Sequence, residues 1–223
     1  METLKVNGVS LTSARLAIAA SIVVLALLAG LHLLSPEFDP AWRMVSEYAN
    51  GQYVWVLSLL FISWGISSWA LAYVLWFQVQ TTGGRIGLWF LIAAGIGEGM
   101  AAVFDINHSL HGLSAMIGIP SLSIAAMLIS TSLVRTPAWS GGRKLLLWTA
   151  NLTWISIVLM AIAFGVMIAT FTQSGAEMPA NAEVVTTLPD GVIGLVGWAN
   201  RFLIIVYCAW VMTAARQTLK SRV

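Results

Sequence analysis

Six stretches of this sequence are long enough and apolar enough to cross a lipid bilayer, and this feature limits the possible folds more than any other. A helix needs about 20 apolar residues to cross a hydrocarbon core about 30 Å thick, because each residue advances the helix by about 1.5 Å. The segments between the stretches are too short to form a separate soluble domain. The predicted spans are Arg15 to Leu34, Tyr53 to Val79, Ile86 to Phe104, Leu113 to Val134, Leu145 to Phe171 and Val192 to Ala215.

The composition agrees with a membrane protein and argues against other classes. Hydrophobic residues make up 59% of the chain and charged residues only 9%, whereas about a quarter of the residues in a soluble domain are charged. The net charge is +2, and the basic residues are scattered, so we do not expect a nucleic-acid partner. The sequence therefore predicts an all-α, polytopic membrane protein in which residues 1–223 form a single bundle of six transmembrane helices surrounded by membrane lipids.

The distribution of lysine and arginine predicts the orientation of the bundle, because cytoplasmic loops retain positive charge. The segments before the first span, between the second and third, between the fourth and fifth, and after the sixth carry nearly all the cations. The alternate segments are acidic, have Arg43 as their one cation, and also hold two histidines. We therefore expect both termini in the cytoplasm. The basic residues are Lys5, Arg15, Arg85, Arg135, Arg143, Lys144, Arg216, Lys220 and Arg222, and the acidic ones are Glu37, Asp39, Glu47, Asp105, Glu177, Glu183 and Asp190.

Two charged residues fall inside predicted spans at similar depths from the outer side. Glu98 is in the glycine-rich third span and Arg201 is in the sixth. A charge at the centre of a membrane helix costs about 2.5 to 3.5 kcal/mol on an insertion-based scale. The sequence therefore predicts an ion pair between Glu98 and Arg201 that holds the third helix against the sixth. Such a pair is either a structural link or one wall of a polar cavity open to the outer face.

A cluster of Asp105, His108 and His111 directly follows the third span. The spacing of three residues places neighbouring members on one face of a helical turn. One Asp and two His form a ligand set that suits zinc. The alternatives are a general acid or base role for one histidine without a metal, and a structural role in which Asp105 caps a helix end and the histidines form interfacial hydrogen bonds.

A second polar segment lies between the first and second spans. The prolines Pro36 and Pro40 end the first helix, and Asn50-Gly51 is typical of a turn. Within this segment Ser46 either caps a short helix or points, together with Glu47, toward the histidine cluster on the same side of the membrane. We therefore count Ser46 and Glu47 among the candidate ligand-binding residues.

These motifs resemble the family catalogued as domain of unknown function 998, which comprises small six-helix membrane proteins of bacteria and archaea. The resemblance is carried by Pro36 with Ser46-Glu47-Tyr48, by the third span ending at Asp105, and by His108 with His111-Gly112. It implies the six-helix topology and a bacterial or archaeal cytoplasmic membrane, and it implies no particular reaction. A more distant similarity is to seven-helix hydrolases typified by alkaline ceramidases, but this chain has six predicted spans and no His-x-x-x-His pair in its last one.

The sequence thus predicts a pocket that opens outward and is lined by polar groups. The predicted ligand is a lipid or another amphipathic small molecule, and Arg201 suits an anionic headgroup because its planar fork matches phosphate or carboxylate. The alternatives are a membrane-embedded hydrolase dependent on a metal or on acid-base chemistry, a small transporter or sensor, and an accessory protein. The pocket residues are Ser46, Glu47, Glu98, Asp105, His108, His111 and Arg201.

Overall fold

The structure, a computed structural model, describes residues 8–176 and 187–220. These residues form six α-helices and two short 3₁₀ helices, η1 and η2, and the described residues contain no strand. All six α-helices are long and apolar enough to cross a membrane, which confirms the predicted all-α class and the six spans. In chain order the elements are α1 (Gly8–Leu34), η1 (Val45–Asn50), α2 (Val54–Leu75), α3 (Thr82–Val103), α4 (His111–Leu133), η2 (Pro137–Gly142), α5 (Arg143–Gln173) and α6 (Val196–Lys220).

The helix ends lie within a few residues of the predicted ends in most cases. At inner boundaries the largest differences are four residues, at the end of α2, the start of α3 and the start of α6. Helix α6 begins at Val196 rather than Val192 because the backbone N–H of Val192 donates to the carbonyl oxygen of Pro189 in a turn before the helix. Four charged residues used to predict the orientation lie outside the described residues. They are Lys5, Glu177, Glu183 and Arg222.

The helices are arranged so that neighbours in sequence are also neighbours in space. Helix α3 packs mainly against α2 and α4, whereas α6 packs mainly against α5 and α1. The contact between α1 and α6 closes the bundle. One end of the bundle, which we call the η1 end, carries η1, the connection between α3 and α4, and the start of α6. The opposite end carries η2.

Small residues allow α3 to approach its two neighbours closely. A Cβ atom added to Gly97 of α3 would lie 2.7 Å from both the Cα of Gly118 and the carbonyl oxygen of Ser114 in α4. On the other side, a Cβ atom on Gly65 of α2 would lie 3.0 Å from the carbonyl oxygen of Gly95. Small residues serve this purpose in many membrane helix interfaces. The two contacts fix the position of the helix segment that carries Glu98.

Candidate functional site

Arg201 is buried near the η1 end and is held by neutral groups. Its side chain is 2% exposed. The guanidinium Nε donates to Nε2 of His32 over 2.6 Å, and one NH1 group donates to the carbonyl oxygens of Arg43 and Gly197 over 2.6 and 3.0 Å. The other terminal nitrogen donates to the Tyr48 hydroxyl over 3.0 Å. Arg201 therefore joins α6 to α1 and to the segment around η1.

Glu98 is buried separately, in the interface of α3 with α2. Its side chain is 6% exposed. Carboxyl oxygen Oε2 accepts a hydrogen bond of 2.8 Å from the hydroxyl of Ser68 in α2. No described residue donates a hydrogen bond to the other oxygen, Oε1. The carboxyl group is thus held at one oxygen only.

The predicted ion pair between Glu98 and Arg201 is wrong. The ion pair present among the described residues joins Arg43 to Glu47 over 2.5 Å. The two residues do lie at similar depths, as predicted, since Glu98 lies five residues before the end of α3 and Arg201 lies five residues after the start of α6. The two residues do not pair because α3 and α6 belong to opposite sides of the helix arrangement and each side chain finds partners on its own neighbours.

A cavity of about 420 Å³ lies between the helices in the half of the bundle nearer the η1 end. It is bounded by η1 and by every long helix except α1. Its wall is mainly apolar, whereas the sequence predicted a polar pocket. The polar members of the wall are Ser46, Glu98, His111, Ser114, Asn200 and Tyr207, and the apolar members are Met44, Val45, Phe61, Trp64, Gly97, Ala101, Ile106, Ala115, Gly118, Ile119, Met160, Ala161, Phe164, Val196, Leu203 and Ile204.

Three of the seven predicted pocket residues line this cavity, namely Ser46, Glu98 and His111. Arg201 is buried outside the wall, with its donors directed to His32, Tyr48 and backbone carbonyls. Arg201 was predicted to contact an anionic headgroup. It cannot do so in this cavity, because it does not line the wall. The remaining predicted residues, Glu47, Asp105 and His108, also lie outside the cavity wall.

The cluster of Asp105, His108 and His111 forms a turn rather than a metal centre. Asp105 Oδ1 accepts from the backbone N–H of Asn107 over 2.9 Å, and His108 Nδ1 accepts from the N–H of Leu110 over 3.1 Å. The described part of the chain contains no group of three His, Cys, Asp or Glu residues placed to hold a metal ion. The three side chains do not converge, because each is engaged with nearby backbone groups.

His111 differs from its two neighbours in sequence because it reaches the cavity. Its Nδ1 lies 2.9 Å from the carbonyl oxygen of Phe104. A carbonyl oxygen only accepts, so Nδ1 carries the proton and donates. In the neutral ring the second nitrogen, Nε2, is then left as an acceptor. His111 therefore brings an imidazole ring with a fixed tautomer to the cavity wall.

Ser46 and Glu47 have different roles, although they are adjacent in η1. Glu47 accepts hydrogen bonds from the backbone N–H of Met44 over 2.7 Å and from the Arg43 guanidinium. Because Glu47 accepts from the N–H of Met44, Glu47 rather than Ser46 is the side chain that caps the start of η1. Ser46 is left on the cavity wall.

Sequence reasoning missed several residues that build this region. Asn200 accepts from the N–H of Val45 over 2.9 Å and thereby fixes η1 to α6. Tyr207 donates to the carbonyl oxygen of Ile119 over 2.8 Å and contacts the Ser123 hydroxyl at 2.9 Å. The sequence did contain a signal for Asn200 and Tyr207. Each carries a polar group within an otherwise apolar span, and such a group needs a hydrogen-bond partner inside a membrane.

Comparison with known proteins gives a family but no activity. The model of the family described as "Protein of unknown function (DUF998)" matches residues 17–217. No curated protein and no solved structure matches the chain. The match covers all six helices for most of their length.

Proposed function

Because this chain belongs to the DUF998 family, whose description names no activity, we propose a function from its own geometry: it binds one amphipathic small molecule, such as a lipid, inside the bundle. The single observation that carries this proposal is the cavity of about 420 Å³ with its mainly apolar wall. Small-molecule sites in proteins commonly enclose about 300 to 1,000 Å³ and combine an apolar lining with a few polar groups.

The distribution of polar groups supports an amphipathic ligand rather than a purely apolar one. Ser46 and His111 reach the wall at the η1 end, and Glu98 lies one helix turn or more further into the bundle. The apolar part of the wall includes Phe164 and Met160 of α5. A molecule with one polar head and an apolar body matches this arrangement, because its head can meet the polar groups while its body contacts the apolar wall.

The membrane context of the site is part of the same proposal. We propose that the η1 end faces the outside of a bacterial or archaeal cytoplasmic membrane and that both termini are cytoplasmic. This orientation is supported by the basic residues at the opposite end, which include Arg85, Arg135, Arg143 and Lys144. The ligand would then enter from the outer leaflet or the outer aqueous phase.

Cavity-filling substitutions test the proposal with a matched pair of adjacent residues. Ala101 and Ala102 of α3 are both half-buried, but only Ala101 lines the cavity. Ala101→Phe adds an aromatic ring at a position that lines the cavity, whereas Ala102→Phe adds it at a position that does not. Each protein is extracted gently from its native membrane, and retained small molecules are identified by native mass spectrometry and by extraction.

We expect the unaltered protein and the Ala102→Phe variant to retain the same small molecule, and the Ala101→Phe variant to lose most of it. Equal retention by all three proteins would contradict a ligand in this cavity. Absence of any retained molecule from gently extracted, folded protein would also count against the proposal.

A further inference from the structure

The cavity wall contains a carboxyl group that has no cation beside it. Glu98 lines the cavity, its Oε2 accepts from Ser68, and no described residue donates to its Oε1. A lysine or arginine would stabilise a charged carboxyl group here, yet the ion pair found among the described residues joins Arg43 to Glu47 and does not include Glu98. A carboxylate buried in this way is costly unless a cation pairs with it.

Aromatic rings line the same cavity in a connected series. The rings of Phe61 and Trp64 are stacked with centroids 6.4 Å apart, and the rings of Trp64 and Tyr207 meet edge to face at 6.0 Å. The hydroxyl of Tyr207 is held by Ile119 and Ser123, so its ring cannot turn freely. The faces of such rings attract ammonium groups, and quaternary ammonium ligands are commonly recognised by several rings together.

Among the described residues, no lysine or arginine lines the cavity. Arg201, the buried cation of this half of the bundle, lies outside the wall and directs its donors to His32, Tyr48 and two carbonyl oxygens. An anionic headgroup in the cavity would therefore meet the carboxyl group of Glu98 without a compensating lysine or arginine from the wall.

We propose that the ligand of this cavity is a lipophilic cation, meaning a molecule with one amine or quaternary ammonium head and an apolar body. Its head lies beside Oε1 of Glu98 and against the rings of Trp64 and Tyr207, and its body contacts the apolar wall toward α5. This inference rests on the proposed function, since it names the chemical class of the molecule that the cavity binds.

Two photoreactive probes with the same alkyl tail test the charge preference. One probe carries a trimethylammonium head, the other a hydroxyl head, and both carry a diazirine on the tail. The full-length protein is placed in nanodiscs of zwitterionic lipid and irradiated, and the labelled residues are mapped by mass spectrometry. Labelling of the exposed α5 residues Val158 and Ile162 measures how much of each probe partitions into the lipid.

The expected result is that the ammonium probe labels cavity residues at a concentration lower by about tenfold or more than the hydroxyl probe does, after correction for partitioning. Glu98→Gln keeps an oxygen that accepts from Ser68 but cannot carry the negative charge that pairs with a bound ammonium head, so it should abolish this advantage. Asp105→Asn, which changes a carboxylate outside the cavity wall at the same end, should leave the advantage intact.

The outcomes separate the two proposals. Equal labelling of the cavity by both probes overturns the preference for cations and leaves the amphipathic site in place. An unchanged advantage in Glu98→Gln overturns the placement of the ammonium head beside Glu98. Labelling confined to the lipid-facing side of the bundle overturns both proposals. The comparison of the two probes on the unaltered protein decides the question even if the Glu98→Gln variant does not fold.

Discussion

Arg201 donates a hydrogen bond from Nε to Nε2 of His32, and the two nitrogens are 2.6 Å apart. Because the guanidinium group has no acceptor atom, Nε2 of the histidine must accept. The proton of the ring is then on Nδ1, which donates to the carbonyl oxygen of Leu28 over 2.7 Å. This bond fixes one tautomer of His32 and ties the end of α1 to the start of α6.

Replacing His32 tests whether this bond stabilises the bundle. His32→Phe leaves a buried guanidinium N–H without an acceptor, and we expect the free energy of unfolding to fall by about 1.5 to 3 kcal/mol. His32→Gln retains an acceptor oxygen, so we expect a smaller loss. Cys208 is the one cysteine of the sequence and is fully buried, so the rate at which a thiol-reactive dye labels it during heating in detergent measures unfolding.

The matched control for this series is His108→Phe. His108 is exposed at the same end of the bundle, and we expect its replacement to change stability by less than about 0.5 kcal/mol. Equal stability of the His32→Phe protein and the unaltered protein would contradict the assigned role of the bond.

The other hydrogen-bond partners of Arg201 predict that substitutions in this network lower the free energy of unfolding by different amounts. Lysine keeps the charge of Arg201 but offers donors at a single nitrogen, so it cannot reach acceptors spread around a planar group. We expect Arg201→Lys to lower the free energy of unfolding by about 3 kcal/mol or more, since at least two hydrogen bonds to a charged group are lost. Tyr48→Phe removes one such bond and should cost about 1.5 to 3 kcal/mol. Tyr73→Phe, at an exposed tyrosine of α2, is the control.

The same Cys208 labelling measurement ranks these variants. A Tyr48→Phe protein less stable than the Arg201→Lys protein would contradict the assignment of Arg201 as the centre of this network, because the hydroxyl of Tyr48 is only one of its four acceptors.

The fold was largely predictable because hydrocarbon imposes a simple rule on sequence. A span must be long and apolar, and its ends are marked by residues such as Pro36 and by glycine-rich turns. The depths of Glu98 and Arg201 follow from the same counting along each helix. Hydropathy therefore fixes where a residue lies along the membrane normal.

The partners of those residues were not predictable, because hydropathy says nothing about which helices are neighbours. The charges of Glu98 and Arg201 suggested a pair, yet the first is held by Ser68 and the second by His32 and Tyr48. In a sequence, a serine, a histidine or a tyrosine indicates the partner of a buried charge less clearly than a residue of opposite charge does. The mainly apolar character of the cavity was missed for a related reason, since its wall combines residues from six separate elements.

Two glycines at the crossing of α3 and α4 should respond differently to the same substitution. In Gly97→Ala the new Cβ would lie 2.7 Å from the Cα of Gly118, a backbone atom that cannot move without separating the helices. We expect a loss of about 1 to 3 kcal/mol. In Gly118→Ala the nearest atom is the N of Glu98 at 3.6 Å, an ordinary contact.

Gly118→Ala is thus the matched control, and alanine also favours a helix over glycine by about 1 kcal/mol. We expect its stability to equal or exceed that of the unaltered protein. Thermal unfolding of both variants in the same detergent checks the prediction, which fails if Gly118→Ala is the more damaging of the two.

The proposed orientation can be tested with two exposed serines at opposite ends of the bundle. Ser109 lies at the η1 end, in the connection between α3 and α4, and Ser140 lies in η2. Because basic loops remain in the cytoplasm, we expect Ser109→Cys to react with a membrane-impermeant maleimide in intact cells that lack an outer-membrane barrier. Ser140→Cys should react only after the membrane is opened. The native Cys208 is buried and should stay unlabelled in both folded variants, so labelling of Ser140→Cys in intact cells would show that the bundle is inserted in the opposite direction.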